Sequence, residues 1–406
     1  YSSGVGLVMV ACVDNIKLYH QKEYGDMPKV LVLVPGVYTL LGIFSDYCKG
    51  HCITGTGEQS LQIAISVRDD QMVRLYNATL NDRKRFSLGN IKFRKEDRWG
   101  NFIKGVVAEL VGDGVAFPGL NITVSGELLH CDNITVSGAL ALGTVMALDD
   151  LLALSLERAA MLRIAYLANT SFNNEVCRIA DLLTMLNGEE GKLMLFDLQH
   201  VSYSYFNYPF HDKSSPLGII VESRIPPHAM REEMIHRRSA TKTAFSRLRQ
   251  QCPSGPIRDF PENELKERTV PLDEDSRHIC SYVLAESRWA TEGFVQLAQK
   301  DAVLYGKTIS RMQAGLRDLM EISCPEVDWL TKRASEVPGC LGAGLVSNGL
   351  SGTIMVLLDE MALPAYLDRL EEYEHIFGFH PRWMIYHPQG CAKVLPVTYD
   401  ADSTDK

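Results

Sequence analysis

Cys48, His51 and Cys52 fall within one five-residue span. Thiolates and imidazole are the usual zinc ligands, so this trio could begin a metal site. A structural zinc takes four ligands, and no second pair follows at zinc spacing, so the expectation is no metal. The ten cysteines (Cys12, Cys48, Cys52, Cys131, Cys177, Cys252, Cys280, Cys324, Cys340 and Cys391) are scattered along the chain. That spread fits reduced thiols better than a disulfide framework. No Ser–His–Asp arrangement stands out. Four N-x-S/T sequons begin at Asn77, Asn121, Asn133 and Asn169. No basic region precedes the short apolar stretch Val5–Val13, so a secretory signal is not expected and the sequons read as chance.

The elements that must position any site can be read from apolar periodicity. Val30–Val34 is a continuous apolar run and predicts a buried strand. Residues 60–67 and 71–77 read as strands around the polar turn Arg68-Asp69-Asp70, and Leu120–Val124 as another. Asn101–Leu110 has helical spacing. Ser137–Leu154 is rich in Ala, Gly and Leu with no charge before Asp149, which predicts a helix buried all round. Helices are expected over 156–169 and 179–186, and strands over 192–196 and 217–221. Residues 232–249 read as an exposed basic helix, and 252–272 as an irregular crossover. Two long helices, 274–300 and 301–320, follow. Glycine-rich Leu341–Gly352 leads into a strand at 353–358, a helix at 363–373 and a last strand near 380–386. This mixture without regular βαβ alternation predicts an α+β fold.

Composition narrows the function classes. The chain has 406 residues, is 46% hydrophobic and carries a net charge of -9. A surface that acidic argues against nonspecific nucleic-acid binding. No apolar run reaches the ~18–20 residues of a membrane span, so no membrane association is expected. A cytoplasmic location is the expectation.

The segment Val34-Pro-Gly-Val-Tyr-Thr-Leu-Leu-Gly-Ile-Phe-Ser-Asp-Tyr47 keeps the skeleton of the galactokinase signature A-P-G-R-V-N-L-I-G-E-H-T-D-Y. Pro35, Gly36, Leu40, Gly42, Asp46 and Tyr47 match. Further landmarks follow in the same order: Trp99-Gly-Asn-Phe-Ile-Lys-Gly-Val106, Cys177-Arg-Ile-Ala-Asp181 with Leu195-Phe-Asp197, Arg237-Arg238, and Gly342, Ala343, Gly349 and Gly352. Over nearly its whole length the chain resembles a galactokinase of the GHMP small-molecule kinase superfamily. The resemblance implies a two-domain fold with the active-site cleft between the domains, here an N-terminal segment 1–28 and domains 29–200 and 201–406. It also implies a reaction that moves the ATP γ-phosphate to a hexose hydroxyl with Mg²⁺.

Carried over residue by residue, the chemistry is eroded. The family's signature arginine, glutamate and histidine fall on Val37, Ile43 and Phe44, and its sugar-binding tyrosine near Met234. The phosphate-loop glycines fall on Cys131 and Asn133, the magnesium glutamate on Asn169, and the serine run keeps Ser137. Glycine serves such a loop by allowing positive φ and close backbone approach to phosphate. Gly349 keeps part of the third motif. Asp181 stands at the catalytic aspartate, and Asp46 and Gly42 at the sugar end. Loss of a comparable cation costs phosphoryl-transfer enzymes about 10³–10⁵ in rate. Asp46 and Asp181 are open to two readings, as ligand-binding carboxylates or as a helix cap and a core hydrogen bond. Val37, Ile43, Phe44 and Met234 are expected to make the pocket apolar. The leading expectation is a galactokinase-like protein without ATP-dependent phosphorylation, acting as a ligand-binding or regulatory pseudo-kinase toward a sugar-like or less polar ligand or a protein partner. The alternative is an active sugar kinase, with ATP and Mg²⁺ bound and Arg237, Arg238, Lys242 or Lys192 supplying the lost charge.

Overall fold

The structure, a computed structural model, describes residues 15–130, 134–210, 216–226, 228–252, 255–346 and 352–397. The chain divides into two compact units at Gly36/Val37, Gly57/Glu58, Asn187/Gly188 and Gln389/Gly390. The second unit is Val37–Gly57 with Gly188–Gln389, and the remainder forms the first. The sequence suggested contiguous domains parting near residue 200. Two of the division points lie inside unbroken strands, just after Pro35-Gly36 and Gly57, where the glycines do not end the strand.

In the first unit, residues 15–24 form a helix (α1). Its sheet runs β12-β1-β2-β5-β3-β4. The strands are Val30–Leu41 (β1), His51–Arg68 (β2), Met72–Asn77 (β3), Asp82–Ser87 (β4), Gly119–Ser125 (β5) and, from the end of the chain, Lys393–Leu395 (β12). β1 and β2 are long enough to contribute residues to both units. The helices are Gly100–Gly112 (α2), Ile134–Leu152 (α3), Arg158–Leu167 (α4) and Ile179–Asn187 (α5). α3 is buried along most of its length, as its uncharged composition implies. Its Gly143 has no room for a side chain: a Cβ there would come within 2.7 Å of Val34 and 2.8 Å of Ile63. Against the sequence expectation, Thr135–Leu152 does reach the length and mean hydropathy of a membrane span, with 72% of that window buried inside the protein. A core helix needs the same apolar surface as a lipid-facing one.

In the second unit, Lys192–Asp197 (β6) pairs with His51–Thr54 of β2 and with Ser202–Asn207 (β7). A separate antiparallel sheet orders β11-β8-β10-β9, from Leu217–Glu222 (β8), Cys340–Leu345 (β9), Thr353–Leu358 (β10) and Arg382–Ile385 (β11). Around them pack His228–Gln251 (α6), Glu262–Thr269 (α7), Glu274–Ala298 (α8), Ala302–Asp318 (α9), Pro325–Glu336 (α10) and Leu363–Phe377 (α11). Asp273 caps α8 through the Ser276 N–H at 2.8 Å, and Asp301 caps α9 through the Leu304 N–H at 2.9 Å. Pro325 opens α10 at the helix start, where its missing N–H costs nothing.

Two elements differ from what the sequence implied. α6 is not an exposed helix: Met234, Arg237, Arg238, Thr241, Ala244, Phe245 and Leu248 line a buried face at three- and four-residue spacing. Its mean polarity hid that face because two arginines sit on it. The stretch 252–272 is not irregular throughout, since it holds a 3₁₀ turn at Ile257–Asp259 and the helix α7.

Candidate functional site

The signature segment leaves β1 at Leu41 and turns at Gly42, whose φ of +88° favours glycine. A side chain there would also meet Cys52 Cβ at 2.5 Å and the His51 carbonyl at 2.6 Å. The chain then enters a 3₁₀ turn, Ser45–Cys48, with the half-buried Asp46 in its first turn. An acidic side chain there complements the N–H groups of the turn start.

Val37, Ile43, Phe44 and Met234 are all buried, and the last three belong to the main apolar core of the second unit. They were expected to line an apolar pocket; they are core instead. None of them lines the ~770 Å³ surface cleft of this unit, whose walls include Lys192, Tyr205, Phe206, Lys300 and His387.

A residue that sequence reasoning missed organises the segment. Glu286, on α8, is fully buried, and its two carboxylate oxygens accept the backbone N–H groups of Ile43 and Phe44, each at 2.8 Å. The Tyr282 hydroxyl donates to the same carboxylate at 3.1 Å. One turn position on, Ser287 Oγ accepts the His51 N–H at 3.0 Å. The only sequence signal was a carboxylate on an otherwise apolar face between Val283 and Ala290. The Arg238 guanidinium lies 5.1 Å from the Phe44 ring centroid, a cation–π contact. Arg237 is tied to Asp275 at 2.6 Å and to Glu321, so it is not available to replace a lost phosphate-binding charge. Burial first, then the charges of Glu286 and Asp46, push the Cys48 thiol up to about 12. The thiol donates to the Ser45 carbonyl, and among the described residues no group of three His, Cys, Asp or Glu could hold a metal ion.

At the end of β6, Asp197 receives both guanidinium nitrogens of Arg258, at 2.6 and 2.9 Å, and Nδ1 of His200 at 2.9 Å. The Arg258 bond above all holds this carboxyl well below the usual carboxylate range. Arg258 also donates to the Lys49 carbonyl, so the 252–272 stretch is pinned to the strand pair just after the signature segment.

The first unit holds the remaining sequence-predicted residues. Asp181 is buried in the first turn of α5, where Arg178 Nη1 lies 3.3 Å from its Oδ1; Arg178 is itself buried. Asn169 is fully buried in a π-helical turn, Ala168–Phe172, and its amide nitrogen donates to the Ala165 carbonyl at 2.8 Å. Ser137 is buried near the start of α3. The next residue, Gly138, faces Leu182 of α5, 3.2 Å from where its Cβ would be. Cys131, Asn133 and Gly349 lie outside the described residues. Three sequon asparagines, Asn77, Asn121 and Asn169, are buried, which excludes glycan attachment in the folded chain.

Superposed on solved structures, the chain matches a Lactococcus lactis galactokinase in complex with galactose at a TM-score of 0.86, with 20% identity, covering 94% of this chain and 99% of that one. It matches a Methanococcus jannaschii mevalonate kinase at 0.59, with 15% identity, covering 89% and 98%. The fold is thus that of the GHMP small-molecule kinases, α+β as the sequence implied. In sequence, the chain is 30% identical over 380 residues to a candidate galactokinase of Treponema pallidum (strain Nichols), covering 92% of this chain and 94% of that protein. It is 26% identical over 356 residues to a galactokinase of Roseiflexus sp. (strain RS-1), covering 87% and 90%. No protein-family model matches. The chain belongs to the galactokinase family.

Proposed function

We propose that this galactokinase-family chain is a ligand-binding or regulatory protein that does not move phosphate from ATP to a hexose. The observation that carries this reading is the fate of the signature positions. Val37, Ile43, Phe44 and Met234 are buried apolar side chains, and the backbone N–H groups of Ile43 and Phe44 are committed to Glu286. Side chains this deep in the core offer a sugar hydroxyl neither access nor a hydrogen-bond partner, and a hydroxyl buried without a partner costs roughly 1–3 kcal/mol. The ligand would be sugar-like or less polar, and its binding would be read by a protein partner.

A magnesium nucleotide, implied by the family, is poorly matched by the donors described in the first unit. Asn169 offers an amide oxygen where a carboxylate is wanted, Ser137 a hydroxyl, and Asp181 is already held by Arg178. Magnesium is usually held by carboxylates together with substrate phosphates.

The test is thermal unfolding with galactose, with Mg-ATP and with both, beside an assay for galactose 1-phosphate. A ligand that binds only the folded state raises Tm by linkage. Galactose is the first probe because the Lactococcus lactis relative was solved with it. Stabilisation by sugar without product supports the proposal. Stabilisation by Mg-ATP with formation of galactose 1-phosphate overturns it.

One observation favours a second reading, a working sugar kinase. Arg178 puts a buried guanidinium beside Asp181 although Val37 supplies none. In that reading Asp181 is the base that takes the hydroxyl proton and Arg178 keeps it ionised. Product formation abolished by Arg178→Gln would support it.

A further inference from the structure

The outer face of the β3–β4 hairpin, in the first unit, carries charge that the protein leaves unmatched. The register sets Arg74 directly opposite Arg85, and Tyr76 opposite Arg83. Val73, Leu75 and Phe86 point inward and are buried, while Arg74, Arg83 and Arg85 are exposed. Like charges directly opposite on one sheet face destabilise the pair.

The neighbouring carboxylates are spent elsewhere. Glu23, at the end of α1, takes both Nε and Nη2 of Arg83 at 2.7 Å. Asp82 pairs with Lys84 at 3.2 Å and accepts the Trp99 indole N–H at 2.9 Å. Asp70 is bound by Arg68; the charge of Arg74 helps keep it ionised but makes no ion pair with it. Among the described residues neither Arg74 nor Arg85 has a hydrogen-bond or ion-pair partner for its guanidinium. Residues 68–98 hold nine basic against five acidic side chains, in a chain whose net charge is -9. The surface is concave here: a cavity of ~400 Å³ is bounded by Glu23, Tyr24, Arg74, Arg83, Lys84 and Arg85. The Tyr24 hydroxyl, donating to the carbonyls of Arg74 and Ile122, fixes one wall.

We propose that this face binds a small multivalent oxyanion of the phosphate class, clamped between Arg74 and Arg85. Directly opposed residues have Cβ atoms about 4.5–5.5 Å apart, so both guanidiniums reach one anion. The planar guanidinium fork matches the paired oxygens of phosphate. The anion would convert a destabilising like-charge pair into two charge-assisted contacts. The extent of one hairpin suits a small anion rather than a nucleic-acid strand. The site is independent of whether the chain phosphorylates sugar.

The test is calorimetric titration and thermal unfolding of the full chain with inorganic phosphate and with pyrophosphate, against chloride at equal ionic strength. Pyrophosphate near 100-fold excess over its Kd is expected to raise Tm by at least about 3 °C. Arg74→Gln or Arg85→Gln is expected to weaken binding at least tenfold, and the double variant to abolish it. Without anion, Arg85→Gln should unfold at the wild-type temperature or above it, because repulsion is relieved. The same variants should respond to galactose as the parent does. No gain over chloride, or variants that bind phosphate as the parent does, would overturn the proposal.

Discussion

The two units treat their inherited site positions differently. In the second unit, the signature segment carries buried apolar side chains at Val37, Ile43 and Phe44. Gly42 still makes the turn, while Ile43 and Phe44 have sunk into the core and their N–H groups are met by Glu286 from α8. In the first unit, Asp181 keeps its charge, and a guanidinium three residues earlier on the same turn answers it. The contrast teaches that the fold can hold a buried carboxylate for two reasons. Glu286 satisfies buried backbone donors, and Asp181 balances a buried cation. Either group, once buried, is costly to remove, whatever becomes of the reaction.

The comparison can be broken most sharply by putting a charge back. Ile43→Glu places an unpaired carboxylate in a site that is 1% exposed, and should cost about 4–5 kcal/mol in urea unfolding. Unchanged stability would mean the segment borders an open polar site. Glu286→Ala should cost about 3–4 kcal/mol, because two backbone N–H groups and the Tyr282 hydroxyl lose their acceptor together. Glu286→Gln, which keeps the shape and one acceptor oxygen, should cost less; no loss at all for it would show that packing alone matters there.

Asp181→Asn should destabilise by about 3 kcal/mol by removing the charge that faces the buried Arg178, and the double change Arg178→Gln, Asp181→Asn should recover part of that. A stabilising Asp181→Asn would instead mark a strained functional carboxylate. The smallest effect expected is on pH dependence. His20, buried between Thr123 Oγ1 and Ser66 Oγ at 2.9 Å each, is pushed down to about 4 by burial, with Asp26 opposing weakly. The unfolded imidazole takes up a proton near 6.5 and the folded one does not until about 4. Its contribution is therefore complete above pH 6.5 and is lost as pH falls through that window. Between pH 7 and 5 the loss should be about 2 kcal/mol. Unfolding free energies of His20→Asn across that range should lack this slope if the assignment holds.

Much of the fold was legible because apolar spacing reports burial directly. The strands at 30–34, 60–67 and 120–124, the all-apolar α3 and the long pair α8 and α9 each carried an unbroken pattern. Less legible was anything whose pattern mixed charge with burial. α6 read as exposed because Arg237 and Arg238 occupy its inner face, where Asp275, Glu321 and the Phe44 ring receive them. Strands β4, β7 and β12 were missed, since exposed or short strands bear little apolar signal. At the site, the erosion of the signature was plain from Val37, Ile43 and Phe44. Glu286 was not, because its partners lie 243 and 242 residues away and are backbone atoms, which leave no mark on residue type.

By itself the sequence determined the family, the α+β class, and which signature positions had exchanged charge for apolar bulk. These are properties of residue type and local spacing. Tertiary structure alone decided where those bulky groups went, what holds Asp181, and that Arg74 and Arg85 face each other on one hairpin. Each depends on pairing between distant or registered segments, and one slip of register would reverse every face involved.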